Sequence, residues 1–450
     1  MIRIEKSFFL FTALLFLLML VACPTYTPIE NDPIQKEPVT KADSLEYEFD
    51  YNYLLLEAYY FYANQELQSA EYYYYETSSP NVFDKIVNMY EEMEDPFTQY
   101  FEPEYFDWIY SWLVSSDESL GLGIEIDSSM IITQIYENSP ADKNNMRVGD
   151  KIISVDSTET NTTSIFERLI SGKLNETRVI TALRDEDTLS FKLQIASILS
   201  PTVFLSWKDS IPIIKITEFS DSTANPKGTS AEFKKILEAT KTAKATVIDL
   251  RDNSGGAIDH CVDVAAEMLQ KNDTLILEVS KYPDTNSYMQ LTDTNIYKNA
   301  QDGVGKGRYY VFLQNEKTAS CSEILIAAVT SNVNAPVVGT LSYGKGIGQY
   351  YFITYLSGIA AITSLEFLDK NFDSYNHYGI KPDFVIADSQ DATHKALTLA
   401  KEQSYQRTEG YGNTYHLFTK KQANTSPQKD THKGAFKLRK APTLPLKTIE

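Results

Sequence analysis

The sequence predicts a multidomain α/β protein with a small helical domain, a β-rich module and a larger domain of alternating strands and helices. Apolar residues first recur at three- and four-residue steps, which is the period of an amphipathic helix. From Leu120 they occur in short alternating runs typical of β-strands. From Ile211 onward, strand-like and helix-like segments follow one another, which indicates an α/β domain.

The composition indicates a globular protein and limits its partners. The chain has 450 residues, of which 43% are hydrophobic, so it can bury a core. Its formal net charge of -20 argues against nucleic acid or an anionic membrane surface as the main partner, because a phosphate-binding surface needs positive charge. We expect this charge to serve solubility.

The first 22 residues have the charge, length and cleavage chemistry of a signal peptide. Arg3 and Lys6 precede an apolar stretch that is too short to span a bilayer comfortably. The stretch ends in Leu-Val-Ala-Cys23, which resembles the lipobox of bacterial lipoproteins. This resemblance implies cleavage before Cys23 and lipidation of its thiol. We therefore expect an exported, lipid-anchored protein of the bacterial cell envelope; ordinary secretion is the alternative.

Composition also divides the rest of the chain. Residues 23–42 are rich in proline and polar residues, so we expect an extended, lipidated tether. The predicted domains are helical at 43–116, β-rich at 117–196 and α/β at 197–402. Residues 403–450 are rich in Lys and Arg, and we expect a basic, disordered tail.

Cysteine and histidine usage predicts neither a disulfide framework nor a metal centre. Only Cys261 and Cys321 remain after Cys23, and we expect both to be free thiols, although an exported chain could join them by one bridge. No cluster of Cys and His residues has the spacing of zinc ligands. The sequence therefore predicts no metal and no cofactor.

One candidate nucleophile lies where a strand-like segment gives way to a helix-like one. Residues 318–323 read Thr-Ala-Ser-Cys-Ser-Glu, which places Ser320 at the turn. There, unpaired N–H groups and the helix dipole would favour an alkoxide and the oxyanion that follows. The alternative is that Thr318, Ser320 or Ser322 caps a helix and does nothing else.

A candidate base follows the next strand-like stretch. Lys345 lies in a glycine-flanked turn within the segment 344–349, which reads Gly-Lys-Gly-Ile-Gly-Gln. A lysine can accept a proton from serine only when its amine is neutral, so its pKa would have to fall by several units from about 10.4. Gln349 could orient the amine. The alternative is an exposed turn lysine.

Together, Ser320, Lys345 and Gln349 resemble the catalytic set of the carboxyl-terminal processing peptidases, the tail-specific proteases. The resemblance covers residues 45–401 and includes residues 247–256, which are similar to the family's Asp-Leu-Arg-x-Asn-x-Gly-Gly turn. It implies a ClpP/crotonase-like α/β serine endopeptidase domain that forms an acyl-enzyme with a Ser-Lys dyad.

The same resemblance implies an oxyanion hole. In the family, an N–H group of the double-glycine turn joins the N–H group of the residue after the nucleophile. In this chain the donors would be Gly255 or Gly256, together with Cys321. Glycine suits this role because it lets the backbone come close to the substrate.

The β-rich module resembles a PDZ domain. Gly121-Leu-Gly-Ile124 is similar to the carboxylate-binding loop of PDZ domains, and Ser139-Pro-Ala141 and the segment 146–150 match a later signature. The resemblance implies that N–H groups of Leu122, Gly123 and Ile124 hold the C-terminal carboxylate of a protein or peptide substrate. At Asn145 the family usually has glycine, and asparagine tolerates a positive φ. Upstream, residues 95–100 resemble the family's pre-PDZ segment.

Two other functions are open at this point. One is a catalytically inactive, PDZ-type peptide-binding lipoprotein in which the dyad never assembles. The other is a cysteine hydrolase that uses Cys321, commonly alanine in the relatives, with His260 or His377 as base. If Ser320 faces the cleft, its neighbour faces elsewhere, so we interpret Cys321 as a small buried filler.

Overall fold

The computed structural model describes most of the chain that follows the predicted tether. The described residues are 41–76, 79–114, 118–159, 171–221, 223–283, 290–405 and 436–439. The predicted signal peptide, Cys23 and nearly all of the tether lie outside these ranges. Within them, none of the helices combines the length and the hydropathy needed to cross a membrane.

The N-terminal region is helical, as predicted, and it also contributes a strand. Its elements are α1 (Lys41–Tyr59), α2 (Ala63–Glu66), α3 (Ala70–Glu76), α4 (Val82–Glu91), β1 (Gln99–Phe101), a 3-10 turn (Pro103–Tyr105) and α5 (Phe106–Val114). Phe49, Ile86 and Met89 are buried in one core together with Phe352 and Ile362 of the α/β region. The helical region is therefore packed into the α/β domain and has no core of its own.

The β-rich module has its own core, which includes Leu122, Ile132 and Ile180. Its elements are β2 (Glu118–Gly121), β3 (Ile124–Ile126), β4 (Ile132–Ile135), α6 (Pro140–Lys143), β5 (Lys151–Val155), β6 (Thr158–Glu159), β7 (Thr177–Arg184), β8 (Asp187–Gln194) and β9 (Ala196–Leu199). Strands β6, β5, β7 and β8 form a sheet in that order, and β2 pairs antiparallel with β9.

The third region alternates strands and helices, which confirms the α/β prediction. Its elements are β10 (Val203–Lys208), β11 (Ile211–Ile216), α7 (Gly228–Ala239), β12 (Ala245–Asp249), α8 (Ile258–Met268), β13 (Thr274–Pro283), β14 (Gln290–Lys298), β15 (Tyr309–Gln314), α9 (Cys321–Asn332), β16 (Val337–Gly339), β17 (Ile347–Ile353), β18 (Ile359–Leu368), β19 (Phe384–Val385), α10 (Ser389–Glu402) and β20 (Phe436–Arg439).

Two sheets enclose the core of this region. The first has the order β10-β11-β12-β15-β16-β19 and is parallel from β11 onward. The second has the order β14-β13-β18-β17-β20, and β1 pairs with β18. Helix α9 contacts α8, β13 and β18, and its residues 321–329 are all buried. The loops after β12 and β15 therefore meet at the buried start of α9.

The C-terminal region differs in part from the prediction. Residues 403–450 were expected to be disordered, yet residues 436–439 form β20, which pairs parallel with β17 from Gln349 to Phe352. No apolar periodicity in this basic segment predicts a strand. The pairing comes from the open edge of β17, since backbone groups can bond there whatever the side chains are.

Candidate active site

Ser320 lies between β15 and α9 in a backbone conformation that is rare for residues other than glycine. Its φ is 54°, and its side chain is almost fully buried. Its backbone N–H donates to Oε2 of Glu323 at 2.9 Å, which closes a capping box at the start of α9. Ser320 is thus the N-cap of α9, and the same turn fixes the direction of its side chain.

The double-glycine loop after β12 is bonded to the nucleophile turn through Asn253, which is fully buried. The backbone carbonyl of Asn253 accepts hydrogen bonds from Ala319 N–H at 3.0 Å and Ser322 Oγ at 3.2 Å. A Cβ added at Gly255 would lie 2.8 Å from Ser320 Cβ, which is closer than real atoms allow. Only glycine therefore permits this approach.

The backbone donors at this junction are not equivalent. Gly255 N–H donates to Asn253 Oδ1 at 2.8 Å. In the described parts of the chain, by contrast, no group accepts a hydrogen bond from the N–H of Gly256 or of Cys321. Of the two glycines that were candidates for an oxyanion hole, Gly256 thus has the available donor, together with Cys321.

Glu323 connects the nucleophile turn to the lysine turn. It is fully buried, and its Oε2 accepts from the backbone N–H groups of both Ser320 (2.9 Å) and Lys345 (2.8 Å). Its Oε1 accepts from Ser342 Oγ at 2.5 Å and Gly344 N–H at 2.7 Å. Burial raises the pKa of Glu323 to about 7, and these four hydrogen bonds act in the opposite direction.

The amine of Lys345 is enclosed. The side chain is 5% exposed, and Nζ lies 4.2 Å from the centroid of the Phe97 ring. Burial lowers the pKa of Lys345 to about 8, while the charges of Asp95 and Glu323 raise it. At pH 7 roughly one tenth of the amine is then neutral. The environment therefore gives this lysine the property that a general base requires, and it is not an exposed turn residue.

Among the described residues, no hydrogen bond joins the side chains of Ser320, Lys345 and Gln349 to one another. No hydrogen bond there joins Ser320 Oγ to Lys345 Nζ. Gln349, on β17, is buried and donates from Nε2 to Thr363 Oγ1 on β18 at 3.1 Å, and it makes no hydrogen bond with Lys345 in this part of the chain. The structure thus links the two turns through Glu323, without a hydrogen bond between the side chains of Ser320 and Lys345.

The expectation of free thiols is wrong, because Cys261 and Cys321 form a disulfide. Helices α8 and α9 pack side by side, which places the two Cα atoms 5.7 Å apart, within the range that a disulfide needs. Cys321 is therefore a crosslink and not a small filler. A disulfide-bonded sulfur has no thiolate, which removes the nucleophile that a cysteine hydrolase would need. His260 is also engaged elsewhere, with Asp221 at 2.6 Å.

The two PDZ-like signatures meet in the β-rich module. Leu122 carbonyl accepts a hydrogen bond from Ala141 N–H at 3.1 Å, and Gly123, with φ 75°, packs so closely against Ser139 that a Cβ would lie 2.1 Å from Ser139 Cβ. The N–H groups of Leu122 and Gly123 have no acceptor among the residues described, and Ile124 begins β3. Asn145 has φ 60°, as its replacement of glycine predicts.

Glu323, Asn253 and Phe97 were not predicted to belong to the site. A signal existed for Glu323, because Ser320-x-x-Glu323 is the sequence pattern of a capping box. A signal also existed for the disulfide, because two cysteines remained in a chain predicted to be exported. Phe97 lies far from Lys345 in sequence, and nothing local indicates that they meet.

Comparison with known families identifies the class of the two main parts. A model of peptidase family S41 matches residues 210–386, and a PDZ domain model matches residues 117–195. The fold is therefore that of a PDZ domain combined with an S41 protease domain and an N-terminal helical region. The chain thus contains a peptidase family S41 domain and a PDZ domain, and its curated relatives are CtpA-like serine proteases.

Curated relatives agree with this assignment. A probable CtpA-like serine protease of Staphylococcus haemolyticus (strain JCSC1435) is 26% identical over 76% of this chain and 68% of its own length. One from Staphylococcus aureus (strain bovine RF122 / ET3-1) is 27% identical over 70% of this chain and 62% of its own. The chain thus spans about two thirds of the length of these relatives.

Solved structures also align with the chain. That of a photosystem II D1 C-terminal processing protease covers 78% of this chain and 94% of its own, with 21% identity and a TM-score of 0.49.

Proposed function

We propose that this protein is a serine endopeptidase of the carboxyl-terminal processing type. It would cleave peptide bonds of protein substrates whose C-termini are held by the PDZ domain. The observation that carries the proposal is the shared carboxylate of Glu323, which binds the backbone of Ser320 and of Lys345 at one buried point. A candidate nucleophile and a lysine of lowered pKa are thereby held on adjoining turns.

The chemistry follows from the groups present. The neutral amine of Lys345 takes the proton of Ser320 Oγ, which attacks the substrate carbonyl carbon. The N–H groups of Gly256 and Cys321 stabilise the oxyanion. The ammonium of Lys345 then protonates the leaving amine, and an acyl-enzyme forms. Water, deprotonated by the same lysine, releases the acyl group and regenerates Ser320.

Catalysis requires a rearrangement of the lysine side chain. Because no hydrogen bond joins Ser320 Oγ to Lys345 Nζ, the described geometry corresponds to a resting arrangement. Lysine has four rotatable side-chain bonds, so rotation can redirect the amine while Glu323 keeps the backbone of its turn in place. In the proposed active arrangement, Gln349 turns from Thr363 to orient the amine.

Tail recognition is assigned to the loop of residues 122–124. The N–H groups of Leu122 and Gly123, which have no acceptor in the described part of the chain, suit a terminal carboxylate, and the peptide would extend the sheet as an added strand. The partners are therefore proteins or peptides with accessible C-termini. We further propose export to the bacterial cell envelope and anchoring by a lipid on Cys23, as the signal-peptide pattern implies.

Proteolysis of casein tests the chemistry. Ser320→Ala and Lys345→Ala should each abolish cleavage while leaving the thermal unfolding temperature near that of the parent protein. Full activity in either variant refutes the proposal. If peptides bind but the parent protein does not cleave them, the inactive peptide-binding lipoprotein is the correct function.

Tail recognition and anchoring need separate tests. One peptide, offered with a free and with an amidated C-terminus, should be cleaved faster in the free form, and Ser320→Ala serves as the blank. Equal rates contradict a role for the carboxylate. A radioactive fatty acid should label the parent protein but not Cys23→Ala, and label retained in that variant excludes lipidation at this residue.

A further inference from the structure

The segment that leads into β1 has a fixed shape. Asp95 Oδ1 accepts from Phe97 N–H at 3.0 Å, and Asp95 Oδ2 accepts from Thr98 Oγ1 at 2.8 Å. Thr98 N–H also donates to the Asp95 carbonyl at 3.1 Å. An aspartate that bonds the chain two and three residues ahead holds a turn without help from regular structure. Phe97, at the centre of this turn, is therefore presented in one direction.

This turn is also fastened to the α/β domain. Thr98 Oγ1 accepts from the backbone N–H of Thr363 on β18 at 3.0 Å, and Thr98 is 2% exposed. From Gln99 onward the chain continues as β1, which pairs antiparallel with β18. Strand β18 also carries the side chain that receives the hydrogen bond of Gln349. The position of Phe97 is thus set by the same strand that borders the candidate active site.

The ring of Phe97 lies against the amine of Lys345. The ring is half-buried, while Lys345 is buried and its Nζ is 4.2 Å from the ring centroid. Among the described residues, none accepts a hydrogen bond from this amine. The ring thus contacts the amine directly, whereas Glu323 bonds only the backbone of the lysine turn.

We propose that Phe97 is a positioning residue for Lys345: its ring excludes water from the amine and sets the direction in which the amine rests. This inference rests on the proposed function, in which Lys345 is the base. The inference gives residues 95–100, which precede the PDZ domain, a role in the peptidase chemistry. These residues belong to the N-terminal helical region and not to the α/β region.

The ring has two opposing effects on the amine. Its face attracts an ammonium group, which favours the charged form. Its bulk excludes water, which favours the neutral form. The charged groups that act on the amine are Asp95 and Glu323, and both favour the ammonium. Burial is the main cause of the lowered pKa of Lys345, and contact with the ring is part of that burial.

Chemical labelling of Lys345 tests this inference without requiring proteolysis. The Ser320→Ala protein, with and without Phe97→Ala, is acylated with acetic anhydride over a range of pH, and modification of Lys345 is measured by peptide mass spectrometry. The exposed Lys241 is the internal reference. Without the ring, the midpoint of the labelling titration should rise by about one pH unit. The labelling rate at high pH should increase severalfold because water and reagent reach the amine.

Two matched variants separate shielding from general damage. Phe97→Leu keeps an apolar cover and should retain the parent midpoint or lower it slightly, since only the attraction of the ring for the ammonium is lost. Tyr105→Ala removes an exposed aromatic side chain of the same region and should change nothing. If Phe97→Ala leaves both the midpoint and the high-pH rate unchanged, or if Phe97→Leu alters them as strongly as Phe97→Ala, the inference is wrong.

The kinetic readout distinguishes this inference from the proposed function. In the protein with Ser320 intact, Phe97→Ala should reduce kcat/KM at pH 7 by about tenfold, because a higher pKa of Lys345 leaves less neutral amine. Near pH 9 most of this loss in kcat/KM should disappear. A loss that is independent of pH indicates a structural role and contradicts the inference. Activity that survives Ser320→Ala overturns the proposed function, whatever the labelling of Lys345 shows.

Discussion

One oxygen of Glu323, Oε2, accepts the backbone N–H of Lys345 at 2.8 Å and also that of Ser320. This one atom therefore joins the nucleophile turn to the lysine turn. A second link, from Tyr343 N–H to the Thr318 carbonyl at 2.9 Å, runs beside it. The relative position of the two turns thus depends on backbone contacts and not on the reactive side chains.

Glu323→Gln should impair catalysis more than binding. Glutamine has one acceptor oxygen and one NH₂ group, and the NH₂ group cannot accept from the backbone N–H groups that it faces, so at least one of the three backbone contacts is lost. We expect kcat to fall by about a hundredfold with little change in KM, and unfolding to become easier by about 2 kcal/mol. Casein kinetics and urea denaturation measure the two effects.

The control for this variant is Glu238→Gln, which makes the same chemical change at an exposed position of α7. It should leave both quantities unchanged. Parent-like kcat in Glu323→Gln would show that the carboxylate does not register the two turns.

Activity should rise with pH because two groups, Lys345 and Glu323, must both be deprotonated. The base must be neutral, and the pKa of Lys345 is about 8, so this group alone should increase kcat/KM about tenfold between pH 7 and pH 9. Protonation of Glu323, whose pKa is about 7, removes acceptor capacity and should steepen the decline below pH 7. A plot of log kcat/KM against pH should approach a slope of about two on the acid side. A flat profile between pH 6 and pH 9 would contradict this assignment.

Gly255→Ala should disable the site by steric conflict. The new Cβ would lie 2.8 Å from Ser320 Cβ and 3.0 Å from Cys321 N, at a backbone φ of +111°. Displacement of the oxyanion donors should lower kcat by at least about a hundredfold. Gly307→Ala is the matched control, because Gly307 also has a positive φ, +76°, but nothing within 4 Å of a new Cβ. Equal losses in the two variants would mean that backbone strain and not the contact with Ser320 is responsible.

The disulfide should contribute a large share of stability. It joins positions 60 residues apart in sequence, and a crosslink over such a loop stabilises by about 4 kcal/mol in the loop-entropy model. Urea denaturation of the parent protein with reductant should therefore show a lower midpoint. The double variant Cys261→Ala/Cys321→Ala should unfold at the same midpoint with and without reductant. If reductant leaves the parent curve unchanged, the bond does not contribute in solution.

The sequence predicts the parts of the site that depend on local pattern. The turns that carry Ser320, Lys345 and the double glycine each follow a short apolar strand, and such patterns can be recognised within about ten residues of chain. The strand-like segments at Ile211 and before the Lys345 turn, which form β11 and β16, were predicted for the same reason. The resemblance to a known family then connected these separate segments.

What the sequence did not predict depends on contacts between distant segments. The roles of Phe97 and Asn253 arise only when β18 and α9 are in place. The disulfide requires the packing of α8 against α9, which no spacing between Cys261 and Cys321 indicates. Strand β20 is formed by an edge of β17 rather than by its own composition. In each case the deciding partner lies far away along the chain.

The pairing of β2 with β9 has a consequence for how the protein is assembled. The segments before and after the PDZ module both pack into one hydrophobic core, while the module itself has a separate core. Because β2 and β9 are paired, the chain enters and leaves the module at neighbouring positions. The module is therefore an insertion in a single folding unit. A short linker could replace it without interrupting a strand of the two large sheets. A force applied to the module is therefore delivered to the main core at two neighbouring points, where β2 begins and where β9 ends.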